Sequence, residues 1–254
     1  MCTAIVSVDP SAPVPVLLAG VRDEFIARPW EPPGRHWPDR PGLVGGRDLR
    51  AGGTWLAVDP DAPRASTVLN GHGRLAPEAG RRSRGGLPLR VAAEGKLGEL
   101  ELPRFDPFHL IGAEPDHVRL WSWDGEELAE RELGPGLHIV VNSGLEGEHR
   151  DPAAPEDEHI AARLEHFRPR FEAAARPDPG RGDSPARAWD GWLDLLGGGG
   201  VPRADRRSLL PVLDLGGGRV WGTTSIGLVA LSADGVRYDF SAAPGNPAAW
   251  TVIL

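Results

Sequence analysis

Cys2-Thr3-Ala4-Ile5-Val6-Ser7-Val8, then a proline-containing turn, then Val14 to Leu18 running on into Leu18-Ala19-Gly20-Val21-Arg22-Asp23-Glu24-Phe25, decides the fold class. Both stretches are rich in β-forming residues, and a turn between two such runs reads as a β-hairpin. The first alternates poorly between apolar and polar positions. The second ends in a charged triplet, which the hairpin brings back beside Cys2.

Working outward, further strand signals follow. Thr54 to Val58 and Ser66 to Asn70 flank Asp59-Pro60-Asp61. Val118, Leu120 and Ser122 alternate with Arg119, Trp121 and Trp123 up to Asp124-Gly125, a hairpin-turn dipeptide. Leu137 to Val141 is another strand. So are Arg219 to Trp221 and Ile226 to Leu231, and Val236, Tyr238 and Phe240 alternate after Asp234-Gly235. Short helices are expected at Gly86 to Ala93 and Phe105 to Gly112. A longer helical pattern spans Pro155 to Arg176, where Ile160, Leu164, Phe167 and Phe171 recur at helical spacing. Glu156, Asp157 and Glu158 suit its first turn, and Pro169 predicts a kink or a split into two helices. Ala186 to Leu196 and Ala204 to Leu213 read as two more helices. The order of elements is α+β with antiparallel sheets, not a βαβ nucleotide-binding fold, and the chain reads as one domain over residues 1–254.

Composition sets the outer limits. Of 254 residues 40% are hydrophobic and 25% charged, an ordinary globular balance that excludes a fibre or a coiled coil. The apolar run Val14 to Ala19 is too short to span a bilayer and has no basic segment before it, so neither a membrane span nor a secretory signal is expected. A net charge of −8 repels a phosphate backbone and speaks against nucleic acid as a partner. One cysteine rules out an internal disulfide and fits a reducing, cytoplasmic setting.

That cysteine follows the initiator methionine directly. Removal of Met1 would give Cys2 a free α-amine, whose unperturbed pKa of about 8 lets it act as a base for its own thiol. The competing reading is a buried structural thiol on the first strand. Arg22 beside it would lower the thiol pKa, and Asp23 would orient the α-amine. His159 and His166 lie seven apart on one helix and lack metalloprotease spacing, so no metal site is expected. Arg181-Gly182-Asp183-Ser184 sits in a proline- and glycine-rich connection and is read as coincidental. Trp121, Trp123, Trp189 and Trp192 are core candidates before they are pocket candidates. Pro29 to Pro41 and Glu146 to Pro155 read as loops.

Several of these stretches together resemble the NRDE-motif family, also called the transport and Golgi organisation family. They are Met1-Cys2, the Arg22-Asp23-Glu24 triplet with Phe25, Ala27, Arg28 and Pro29, Gly45-Gly46-Arg47-Asp48-Leu49, and Ala51-Gly52-Gly53-Thr54-Trp55-Leu56. Weaker echoes are Leu69-Asn70, Ser83-Arg84-Gly85, Phe108-His109-Leu110, Asn142 and Trp221-Gly222-Thr223. The resemblance implies a four-layer αββα sandwich of the N-terminal-nucleophile hydrolase type, acting on a non-peptide C–N bond of a linear amide. It implies Cys2 as nucleophile and base, Arg22 and Asp23 as its support, and Asn70 as oxyanion donor with Asn142 as a second candidate. No resident cofactor is implied. The alternative is a non-catalytic binding or trafficking role for haem or a lipid or acyl-CoA-like ligand, in which haem is cargo. Two positions depart from the family pattern: Val21 stands where the motif begins with Asn, and Thr224 where an arginine usually follows the Gly-Thr pair.

Overall fold

The computed structural model describes residues 2–149, 155–181 and 183–254. In chain order its elements are β1 (Thr3–Val8), β2 (Val16–Phe25), β3 (Trp30–Gly34), β4 (Val44–Asp48), β5 (Leu56–Asp59), β6 (Arg64–Asn70), α1 (Gly86–Glu94), β7 (Phe108–Ala113), β8 (Val118–Trp123), β9 (Leu128–Glu132), β10 (Gly136–Val141), β11 (Gly144–Leu145), α2 (Pro155–Ala173), α3 (Pro185–Leu196), β12 (Val212–Asp214), β13 (Val220–Ser232), β14 (Gly235–Ser241) and β15 (Trp250–Val252).

The strands form two antiparallel sheets. One has eight strands in the order β11-β10-β1-β2-β13-β14-β15, with β12 pairing β13. The other has seven, in the order β3-β4-β5-β6-β7-β8-β9. The sheets face each other across a core in which Val6, Leu18, Val229 and Tyr238 meet Leu56, Ile111 and Leu120. The outer face of the larger sheet, with Ile5, Leu17 and Leu228, packs on α2 and α3 through Ile160, Phe167, Phe171, Trp189 and Trp192. The outer face of the smaller sheet is covered by α1, whose Leu87 and Val91 meet Phe108, Leu110 and Trp121. The layers therefore run α2/α3, sheet, sheet, α1, the αββα order expected.

This layering explains why β1 alternates poorly. Ala4, Val6 and Val8 enter the inter-sheet core while Ile5 enters the helix-facing core, so both faces need apolar side chains. The same effect accounts for one misreading. Phe105 to Gly112 is not a helix: it leads into β7, whose Phe108 and Leu110 face α1 while Ile111 faces the other sheet. A short apolar run buried on two sides carries no usable period. Ala204 to Leu213 is also not helical. Asp205 accepts hydrogen bonds from the backbone and side chain of Arg207, and its own carbonyl takes the Ser208 N–H, so a local turn wins over a helix before β12 begins.

Pro169 neither ends nor splits α2, which continues from Pro155 to Ala173. The break falls instead in α3, at Asp190, with φ of 32° and ψ of −120°. Part of the expected loop from Pro29 to Pro41 is the strand β3. Its Pro32 and Pro33 are tolerated because β3 is a sheet edge, where one side needs no ladder donors. The four tryptophans at 121, 123, 189 and 192 are all buried in the cores described. Gly182 of the Arg-Gly-Asp-Ser stretch and residues 150–154 of the expected Glu146 to Pro155 loop lie outside the described residues. No described helix is long and apolar enough to cross a membrane.

Candidate active site

β1 and β2 are adjacent in the middle of the larger sheet, and β10 flanks β1 on the other side. The pairings Thr3↔Val21 and Thr3↔Val141 fix the register. One step further, Cys2 falls between Arg22 on one neighbour and Asn142 on the other. Alternation along β1 turns Cys2 with Ala4 and Val6 toward the opposite sheet, and the Cys2 side chain packs at the margin of the inter-sheet core. There it meets a cavity of about 470 Å³ between the sheet ends, lined by Cys2, Arg22, Asp23, Asn70, Arg84 and Gly85 among others.

The motif residues shape this cavity. Asp48 accepts N–H bonds from Arg50 at 3.0 Å and Ala51 at 2.8 Å, which tightens the turn after β4. It also takes the Arg28 guanidinium through both carboxylate oxygens. Burial opposes its ionisation, yet the Arg28 and backbone hydrogen bonds outweigh that and hold its carboxyl below the ordinary carboxylate range. Beyond the turn, Gly53 and Gly85 pass so close that a Cβ on Gly53 would sit 2.4 Å from the Gly85 carbonyl carbon. Thr54 N–H bonds the Gly85 carbonyl at 2.9 Å. Only glycine at 53 permits this crossing, which fastens Ser83-Arg84-Gly85 over the cavity.

Arg22 is held on several sides. Nη1 donates to Thr224 Oγ1 at 2.8 Å, and Thr224 Oγ1 donates back to the Arg22 carbonyl at 3.2 Å. Nη2 lies 3.6 Å from Asp48 and 3.9 Å from Glu24, and the guanidinium carbon stands 4.4 Å from the centre of the Trp55 ring. Thr224 reaches Arg22 because the β2–β13 register shifts between Thr223 and Ser225, a bulge that re-aims the intervening side chain. Val21, the other departure from the family pattern, is buried on the helix-facing side with Ile139 and Ile226, where an apolar side chain fits.

Asp23 lies on the opposite face of β2 from Arg22. Its carboxylate accepts from Thr223 Oγ1 at 2.6 Å and sits 3.5 Å from Arg163 of α2, with both charged side chains buried. Arg163 also donates to Thr3 Oγ1 at 2.8 Å and to the Ser208 carbonyl at 3.0 Å. The contact between Asp23 and the thiol is made by the backbone: Cys2 Sγ–H points at the Asp23 carbonyl, 3.5 Å away. The expected lowering of the thiol pKa is not what the site produces. Burial pushes the thiol above its ordinary value and the Asp23 charge adds to this, while the pull of Arg22 is too small to reverse it.

Of the five residues expected to form the site, Cys2, Arg22, Asp23 and Asn70 line the one cavity. Asn70 closes β6 with its side chain exposed. Asn142 is buried beside Cys2 in register rather than lining the cavity, and its Oδ1 has no partner among the described residues. Its carbonyl meets His109 Nε2 at 3.2 Å, and His109 Nδ1 meets Ser122 Oγ at 2.9 Å. Burial drives the His109 pKa down to about 4, so this link between the two sheets is a neutral imidazole.

Sequence reading assigned no role to Arg84, Arg163 or His109. Arg163 carried a usable signal, since it falls on the same face of α2 as Ile160, Leu164 and Phe167. A charge on that stripe has to be paired inside. Arg84 and His109 were present only as echoes of a motif.

Two antiparallel sheets lie between helical layers in an αββα sandwich, and residue 2 heads a central strand at the mouth of a cavity. The sequence matches the family described as Transport and Golgi organisation 2 over residues 1–174, and the chain belongs to that family. No curated protein matches it. Among solved structures, the Caenorhabditis elegans ortholog of N-acylethanolamine-hydrolyzing acid amidase is similar over 100% of both chains, with 10% sequence identity and a TM-score of 0.48.

Proposed function

We propose that the protein hydrolyses a non-peptide C–N bond of a linear amide, with Cys2 as nucleophile once Met1 has been removed. The observation that carries this is the convergence of Cys2, Arg22 and Asn70 on one cavity at the head of β1. A thiol whose pKa is raised by burial is a poor spontaneous thiolate and needs a base at hand. The α-amine of Cys2 supplies one. It takes the thiol proton as sulfur attacks the amide carbonyl, and the resulting oxyanion is met by the Asn70 side-chain N–H groups. Collapse of the tetrahedral adduct passes the proton from the α-ammonium to the departing amine and leaves a thioester on Cys2. Water then attacks the thioester carbonyl, giving a proton to the same α-amine; the C–S bond breaks, the Cys2 sulfur takes that proton back from the α-ammonium, and the carboxylic acid is released. Arg22 steadies the negative charge that passes through the site, and Asp23 anchors the strand end through Thr223 and Arg163.

The experiment is turnover of simple N-acyl amides by Met1-processed protein, compared with Cys2→Ala and Cys2→Ser. Both variants are expected to remain folded and to lose hydrolysis. Activity that survives Cys2→Ala removes the nucleophile assignment.

A second reading has one observation in its favour. With Met1 retained, the buried thiol is neutral near pH 7, and the cavity then serves binding rather than turnover. Haem, or a lipid or acyl-CoA-like molecule, is the ligand class for that reading, and the family's description in terms of transport agrees with it. A haem titration without a Soret shift, unaltered by mutation of Cys2, removes the haem version.

A further inference from the structure

We infer that the cavity at Cys2 recognises an amide bearing a carboxylate close to the scissile bond, and that Arg84 is the residue that binds it. This rests on the hydrolase reading for the word amide; the anion preference stands on the cavity itself.

The guanidiniums lining the cavity belong to Arg22, Arg28, Arg81, Arg82 and Arg84. Arg28 is taken by Asp48, with Glu24 at 3.6 Å. Arg22 has Asp48 and Glu24 within 4.0 Å and donates to Thr224. Arg81 has Asp106 at 3.4 Å and Arg82 has Glu101 at 3.3 Å. The remaining lining carboxylate, Asp23, is engaged by Thr223 and Arg163. Arg84 differs from all of these. Its one protein acceptor among the described residues is the Pro107 carbonyl, 2.8 Å from Nη1, and no described carboxylate lies within ion-pairing distance.

A guanidinium has five N–H donors in a planar fork, and those of Arg84 that the described residues leave free are open to the cavity, where a ligand can take them. Burial lowers the Arg84 pKa from the ordinary arginine value, and the charges of Asp106 and Cys2, neither in contact with it, oppose this without reversing it. The Gly53–Gly85 crossing fixes the segment that carries it. The helix that follows, α1, has no acidic residue in its first turn and no side-chain cap, so its positive end faces no carboxylate of its own. A carboxylate matches the fork in two parallel hydrogen bonds. It can belong to the amine side of the amide, as in an N-acyl amino acid, or to the acyl side, as in a dicarboxylic acid monoamide. The chemistry Arg84 reads is the same.

The test uses Met1-processed protein and two substrate pairs: hexanoylglycine against hexanoylglycinamide, and glutaric acid mono-butylamide against its neutral diamide. In at least one pair the carboxylate member is expected to be favoured about tenfold to a hundredfold in kcat/KM, mainly through KM. The pair that shows it identifies the side of the amide. Arg84→Gln brings that ratio toward one and Arg84→Lys keeps part of it. Arg82→Gln, which alters an exposed guanidinium already paired with Glu101, leaves the ratio in place. Equal use of both members in both pairs, or a ratio that survives Arg84→Gln, overturns the inference while leaving the hydrolase reading standing. If no amide is cleaved, calorimetry on the Cys2→Ala protein decides. Binding of a carboxylate member that is lost in Cys2→Ala/Arg84→Gln upholds the anion site and sinks the hydrolase reading. Absence of binding overturns the anion site.

Discussion

Thr224 and Arg22, on neighbouring strands β13 and β2, hold each other twice: the guanidinium donates to the threonine hydroxyl at 2.8 Å, and the hydroxyl donates to the arginine carbonyl at 3.2 Å. The position where the family pattern carries an arginine is thus occupied by a residue that braces the arginine of the triplet. Thr224→Val keeps the shape and removes the hydroxyl, leaving a buried N–H without its acceptor. The expected cost is about 1–3 kcal/mol of stability, read by chemical denaturation, together with a drop in amide turnover because Arg22 is no longer fixed. Unchanged stability and turnover would mean that the brace is dispensable.

The buried pair of Asp23 and Arg163 ties β2 to α2. Arg163→Met removes the cation and strands the carboxylate, and breaking such a pair from one side costs about 3–5 kcal/mol. Adding Asp23→Asn to Arg163→Met should return a good part of that loss, since no uncompensated charge then remains. Denaturant midpoints for the two single variants and the double variant give the coupling directly.

His109 makes stability depend on pH in a predictable direction. Its pKa is about 4 in the fold, against about 6.5 in an unfolded chain, so between those values the unfolded state binds the extra proton. Stability from this group is therefore full above about pH 6.5 and falls as the pH drops toward 4. Roughly 2 kcal/mol should be lost between pH 7.5 and pH 5. His109→Gln should remove that portion of the slope, as measured by denaturation at several pH values.

Gly53→Ala tests the crossing over the cavity. A Cβ at 2.4 Å from the Gly85 backbone cannot be accommodated, so the segment carrying Arg84 must shift. The expected result is a stability loss of about 1–3 kcal/mol and a larger loss in preference for a carboxylate ligand than in folding. Gly52→Ala is the control for space, because nothing lies within 4 Å of its Cβ; its φ of 73° leaves only backbone strain.

Much of this arrangement was legible in the sequence because β1, β2 and the Arg22-Asp23-Glu24 triplet are close in the chain. A hairpin fixes their register with local information alone. The same holds for α2 and α3, where apolar residues recur over enough turns to define a face. Phe105 to Gly112 failed because β7 is buried on both sides, which erases the alternation that marks a strand. Ala204 to Leu213 failed because Asp205 closes a local turn that competes with a helix. The raised thiol pKa was not readable either. Arg22 is adjacent in register, but the burial of Cys2 depends on the opposite sheet, which is brought in by contacts distant in the chain. Arg84 has no local signal, since its importance comes from what its neighbours are already bonded to.

The central claim is that residue 2 becomes an N-terminal nucleophile. Its most direct test is intact mass spectrometry after brief incubation with an activated acyl substrate, such as a glutaryl anilide, followed by acid quench. The account predicts a protein lacking Met1 that gains one acyl group, located on the peptide bearing Cys2, and no gain in Cys2→Ala. Retention of Met1, or an acyl group found anywhere other than Cys2, would contradict it.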